Sequence, residues 1–260
     1  RADHPDILAF LRSEGAGGCF RLAVGVTREF LDAVREDAEY DLTDPRTGLK
    51  SGALRARAVA EELRRLMTLG PQDSVLVAGL GNTAVTPDAL GPKTVAGLFL
   101  TRHLIEHLPE YFGTCRSVSA VAPGVLATTG MESIEVVRGA CAHVRPSCVL
   151  CIDALAAGAP ERLCTTIQMT DTGIVPGSGV GNARAAFQKK TLGVPVLALG
   201  VPLVVRADTL FEGRQQGLIV TPKDIDGIVK ASAMLLSRAL NQALHPRLPK
   251  EMKELLASQS

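Results

Sequence analysis

The chain has 260 residues, 46% of them apolar, with no Trp and only two Tyr, so Val, Leu and Ala must fill a core that suits one large domain or two small ones. Lys plus Arg number 28 against 27 for Asp plus Glu, and a net charge of +1 argues against the basic excess that a direct grip on nucleic acid needs. No apolar run reaches the roughly 18–20 residues that span a bilayer, no signal peptide is recognisable, and the start at Arg1 rather than Met reads as processed or trimmed.

Residues 1–50 are weakly patterned. Residues 7–11 have the spacing of a helical turn, and Asp44-Pro45-Arg46-Thr47-Gly48 is a turn signal. Residues 52–69 carry apolar side chains at helical spacing with no breaker. Strands and helices then alternate: strand 74–79, helix 92–108, strand 117–122, helix 132–144, strand 148–153 and strand 163–169. A glycine-rich loop at 172–181 follows, then strand 194–200, which Val204 and Val205 extend beyond Val201-Pro202. Helices are predicted at 223–243, opened by Thr221-Pro222 with Asp224 and Asp226 in its first turn, and at 249–257. Strands spaced about 30–40 residues apart are those of βαβ units. The expected fold is a single α/β domain, phosphorylase/hydrolase-like, with a mostly parallel sheet flanked by helices on both faces and an irregular N-terminal region.

Two carboxylates stand out. The run Val75-Leu76-Val77-Ala78 stops at Gly79-Leu80-Gly81-Asn82, and Thr86-Pro87-Asp88 follows. This reads as a buried strand delivering Asp88 to the rim of the sheet, where open α/β sheets bind ligands. Asp153 arrives the same way after Val149-Leu150-Cys151-Ile152. Each acid alone also has a structural reading. Asp88 is a candidate N-cap of helix 92–108, although Gly91 would hold that place if Pro92 is the first helical residue. Asp153 is equally readable as a strand-terminal Asp bonded to nearby backbone. Two acids at two strand ends form a candidate acid/base pair.

Other motifs carry less. Gly79-Leu80-Gly81 begins a G-x-G-x-x-G pattern, but position 84 is Ala, Pro87 interrupts the helix start, and Asp88 puts negative charge where a pyrophosphate would sit. No cofactor is implied. His103-Leu104-Ile105-Glu106-His107 matches the zinc-protease string H-x-x-E-H, yet no motif supplies a third ligand, and a solvated turn near a helix end explains it as well. No metal is expected. Cys148 and Cys151 form C-x-x-C inside a predicted strand, where i and i+3 point to opposite faces. The six cysteines are scattered, which suits reduced thiols in a cytosolic protein. Asp171-Thr172-Gly173 matches the D-T-G of all-β aspartic proteases, but occurs once in an α/β pattern. Asp171 is retained as a supporting candidate because it precedes the glycine-rich segment ending at Asn182. No serine or cysteine nucleophile signature is present.

At these residues the chain resembles the germination proteases of spore-forming bacteria. The matching motifs are Gly79-Leu80-Gly81-Asn82 with Val85 to Pro92, Thr101-Arg102-His103-Leu104, and Val118 to Val125. They continue with Ile152-Asp153-Ala154-Leu155-Ala156-Ala157, Asp171 to Ile174 with Pro176 to Asn182, Leu192 to Val196 with Gly200-Val201-Pro202, Val220 to Lys223, and Ala243 to Pro246. They run in order from about residue 75 to 246, whereas the first 70 residues match poorly. The resemblance implies a fold similar to that of hydrogenase-maturation proteases. It implies an endopeptidase, made as a precursor that loses a short N-terminal segment, which degrades small acid-soluble spore proteins at germination. It further implies a homotetramer in the cytoplasm of the forespore or spore core, with no direct contact to nucleic acid or membrane. The family's proposed catalytic carboxylates fall on Asp88 and Asp153. Two close carboxylates do not both ionise easily, so one is expected to hold a proton above the ordinary value of about 3.9. Two other readings use the same residues: a maturation-type protease whose rim acids ligate nickel or zinc, and a non-catalytic member that only binds spore proteins.

Overall fold

The computed structural model describes residues 22–25, 39–43, 50–55, 69–70, 72–210, 217–246 and 248. Three strands come first: β1 (Leu22–Gly25), β2 (Glu39–Thr43) and β3 (Lys50–Arg55). The α/β body follows with β4 (Val75–Gly79), α1 (Leu90–Ala96), α2 (Arg102–His107), α3 (Pro109–Phe112) and β5 (Val118–Val121). Next are α4 (Leu126–Thr129), α5 (Ser133–Val144), β6 (Cys148–Ala157), β7 (Thr166–Thr170) and α6 (Lys189–Leu192). The body closes with β8 (Val196–Arg206), α7 (Ala207–Leu210), β9 (Ile219–Val220) and α8 (Ile225–Leu244).

Seven strands form one sheet in the order β1-β7-β8-β6-β4-β5, with β9 on β8. Neighbours among β5, β4, β6 and β8 are parallel. β7 runs antiparallel to β8, and β1 antiparallel to β7, so five of the seven strands point one way. The sheet is mostly parallel and lies between helices, as the spacing predicts. Alternation along the strands sorts the core. Val75, Val77, Leu150, Ile152 and Leu199 pack with α8 residues such as Val229, Leu236 and Leu240. Leu76, Ala78, Val149, Cys151 and Ala198 pack on the other face with Ile134, Val137 and Cys141 of α5 and with Phe187. Cys148 and Cys151 accordingly fall in different layers.

Several boundaries differ from those read in the sequence. The N-terminal region is not wholly irregular: β1 adds to the sheet edge, and β2 pairs antiparallel with β3. β3 also corrects the helix expected from residue 52, because residues 52–55 are strand. The turn signal at 44–48, the helical turn at 7–11, most of 56–69 and the helix at 249–257 lie outside the described residues. The single helix expected at 92–108 is two. Asn241 of α8 fills the break, accepting the Phe99 amide at 2.8 Å and donating to the Gly97 carbonyl at 3.0 Å. Those two bonds satisfy backbone groups that a continuous helix would otherwise pair. β6 runs to Ala157 and β8 runs through Pro202, where the register shifts between Leu155 and Ala156. A proline has no amide hydrogen to give a ladder, and a bulge beside it accommodates that loss.

Candidate active site

Asp88 closes a single 3-10 turn, Thr86–Asp88, between β4 and α1. Pro87 pre-sets one dihedral of this turn, and the amides of Asp88 and Ala89 close it onto the carbonyls of Val85 and Thr86 at 2.9 and 3.1 Å. Gly81 lies against the turn with φ +115°, and a Cβ there would sit 2.0 Å from the Asp88 carbonyl oxygen. Only glycine tolerates both the dihedral and the approach. The Asn82 amide donates to Asp88 Oδ2 at 2.8 Å, fixing the carboxylate beside the loop.

Asp153 is not the last residue of its strand, as the sequence suggested; β6 continues four residues beyond it to Ala157. It occupies the rim because the neighbour ends first. Gly79, the last residue of β4, pairs with Ile152, and the Leu80 amide donates to the Ile152 carbonyl at 2.8 Å. Asp153 therefore sits one residue past the end of β4, on the row begun by Val149 and Cys151. It is only 5% exposed. Its Oδ1 accepts the Ala154 amide at 2.9 Å. Gly91 of α1 closes the gap from below, since a Cβ there would lie 2.6 Å from the Ile152 carbonyl oxygen.

Both carboxylates line one cleft of about 1010 Å³. Its walls are the loop after β4, residues 125–127 and 132–133, the second half of β6, the end of β7 and the glycine-rich segment. Burial raises the Asp88 carboxyl above its ordinary value, against the pull of the Asn82 amide. Asp153 is pushed up to about 7, first by burial and then by the negative charge of Asp88, with the Ala154 amide opposing. Both carboxyls are shifted toward the protonated form, Asp153 the more strongly of the two. Two carboxyls with raised proton affinity thus line a common space.

The other candidates fall elsewhere. Asp171 is exposed, and its neighbours Thr170 and Thr172 line the cleft in its place. His103, Glu106 and His107 are exposed on α2, where Glu106 pairs with Arg102 at 2.9 Å. Among the described residues no group of three or more His, Cys, Asp or Glu is arranged to hold a metal ion. No helix among them is long and apolar enough to cross a membrane. The sequence reading missed an ion pair at the cleft wall, Arg184 to Glu132 at 3.5 Å, and a hydrogen bond from Thr86 Oγ1 to Asp226 Oδ1 at 3.0 Å. Both join residues far apart in the chain, and no local spacing announces them.

Residues 52–214 match the model of a family described as germination protease. A germination protease of Caldanaerobacter subterraneus is 43% identical over 244 residues, covering 77% of this chain and 75% of the relative. One from Clostridium acetobutylicum is 39% identical over 245 residues, covering 77% and 74%. A [NiFe] hydrogenase maturation protease from Thermococcus kodakarensis KOD1 is a structural neighbour at TM-score 0.40 and 18% identity, covering 68% of this chain and 97% of that one. With this extent of likeness, the chain belongs to the germination protease family, peptidases of spore germination.

Proposed function

We propose that the protein is an endopeptidase that hydrolyses small acid-soluble spore proteins during germination, using Asp88 as base and Asp153 as acid on one water molecule. The observation that carries this reading is that Asp88 and Asp153 line the same cleft, where burial and the Asp88 charge push the Asp153 carboxyl up to about 7. Asp88 draws a proton from water as the water oxygen bonds to the scissile carbonyl carbon. Asp153 gives its proton to the carbonyl oxygen, and a neutral tetrahedral diol forms. Asp88 then passes its proton to the amide nitrogen while Asp153 takes one hydroxyl proton back. The C–N bond breaks, C=O re-forms, and both carboxyls return to their starting states.

The cleft suits an extended chain: apolar Val85, Leu126, Val175 and Ile219 stand exposed on its walls and offer contacts to substrate side chains. The same reading places the protein as a homotetramer in the spore interior, which sedimentation of the purified chain tests. The deciding experiment is incubation of the pure protein with a small acid-soluble spore protein. Defined fragments from the wild type and none from Asp88→Asn or Asp153→Asn support the reading. Binding without cleavage identifies a non-catalytic member. Activity that disappears on exhaustive chelation and returns with nickel or zinc gives the two acids to a metal instead.

A further inference from the structure

The turn that carries Asp88 is held by the Asn82 amide at its carboxylate and by the C-terminal helix at Thr86. Val85, Pro87 and Asp88 line the cleft, whereas Thr86 does not. Thr86 is directed at the opening turn of α8 and donates to Asp226 Oδ1 at 3.0 Å. Val85, which precedes the turn, makes no side-chain cap. The turn is fixed by its two backbone bonds, by the Asn82 amide on the Asp88 carboxylate, and by this one side-chain link from Thr86 to a 20-residue helix. That helix is immobilised by Val229, Leu236 and Leu240 against the sheet. A carboxylate in the first turn of a helix is also held favourably by the amide dipoles there, so Asp226 is an anchor carried by the packed helix.

We infer that Asp226 is a positioning residue for Asp88, acting through Thr86. The inference rests on Asp88 being the base. Reacting groups have to be held to within a fraction of an ångström, and a small misplacement costs rate far more than it costs stability. An exposed hydrogen bond contributes little to folding, so this link is visible in turnover.

The test uses the full chain and a small acid-soluble spore protein as substrate. Asp226→Ala and Thr86→Val are each expected to lower kcat about tenfold with KM within about twofold. The double variant is expected to be no worse than either single, because the two residues act as one unit. Asp226→Asn keeps an accepting oxygen and Thr86→Ser keeps the hydroxyl, so both are expected to retain most of kcat. Unchanged kcat in Asp226→Ala overturns the inference. So do losses that multiply in the double variant, or a loss in Asp226→Asn as deep as in Asp226→Ala. Asp88→Asn separates the two levels. If it stays active, the base assignment itself fails; if it is dead while Asp226→Ala is fully active, only the positioning role fails.

Discussion

At the amino ends of the parallel strands, Arg116 donates to the carbonyls of Leu244, Gly70 and Asp73 at 3.2, 2.8 and 2.9 Å. Thr101 donates to the Arg116 carbonyl and accepts the Val118 amide, and His245 Nε2 meets the Phe99 carbonyl at 2.8 Å. At the carboxyl ends, Asp153 has one backbone donor and faces a second carboxylate across a cleft. Both ends bury polar groups. At the first, the Arg116 guanidinium and the carbonyls around it complement one another, with His245 Nδ1 left unpartnered among the described residues, and the network staples the end of α8 to the sheet. At the second, burial outweighs the single amide donor, and the Asp153 carboxyl is pushed up to about 7. A buried polar group supports the fold when its partners are present and becomes a reagent when they are withheld.

The sharpest break in this comparison is chemical. Asp153→Asn and Asp88→Asn are each expected to lower kcat by about 10³-fold or more, which is roughly 4 kcal/mol of barrier. Circular dichroism checks that both variants fold. In the wild type, kcat/KM is expected to fall as pH rises through about 7, when Asp153 loses its proton. A flat profile from pH 6 to 9 rules Asp153 out as the acid.

The opposite end should respond in stability instead. Arg116→Leu strands three carbonyls and is expected to cost about 2–4 kcal/mol in urea unfolding. In the same assay Leu236→Ala, which empties a site in the core layer under α8, is expected to cost about 2–5 kcal/mol.

The two ends also oppose each other in pH dependence. Burial pulls His245 down to about 4, aided by Arg116 and resisted by its bond to Phe99. Its neutral form is the folded form, so its contribution is present above about 6.5 and is lost as pH falls toward 4. Asp153 has the reverse sign: its contribution is present below about 3.8 and is lost as pH rises toward 7. In the wild type the two offset each other across that window. Asp153→Asn should leave a fold whose stability rises with pH between 4 and 6.5, and His245→Gln one whose stability falls. Denaturation midpoints at pH 4.5 and 7.5 read this directly, and unchanged slopes in both variants sink it. The smallest effect belongs to Arg184→Ala at the cleft wall. Its half-exposed pair with Glu132 should contribute less than about 1 kcal/mol, and less again in salt.

The sequence by itself determined the alternating strands β4, β5, β6 and β8, helices α5 and α8, and the two acids after β4 and within β6. These follow from local rules: period-two apolar runs, period-3.6 faces, and turn residues. It also placed Cys148 and Cys151 on opposite faces. Tertiary structure decided the rest. Helix 92–108 breaks because Asn241, more than a hundred residues away, offers its amide to Phe99 and Gly97. β6 and β8 extend because each is the other's ladder partner beyond Asp153 and Gly200. β1 becomes strand by pairing with β7, against a sequence with little pattern of its own. Asp171, the supporting candidate, is exposed and is absent from the cleft lining that Thr170 and Thr172 share, a placement set by how the bend after β7 packs. The proton on Asp153 depends on how deep the residue lies and on where the Asp88 charge sits, and both are distances through space that no spacing along the chain encodes.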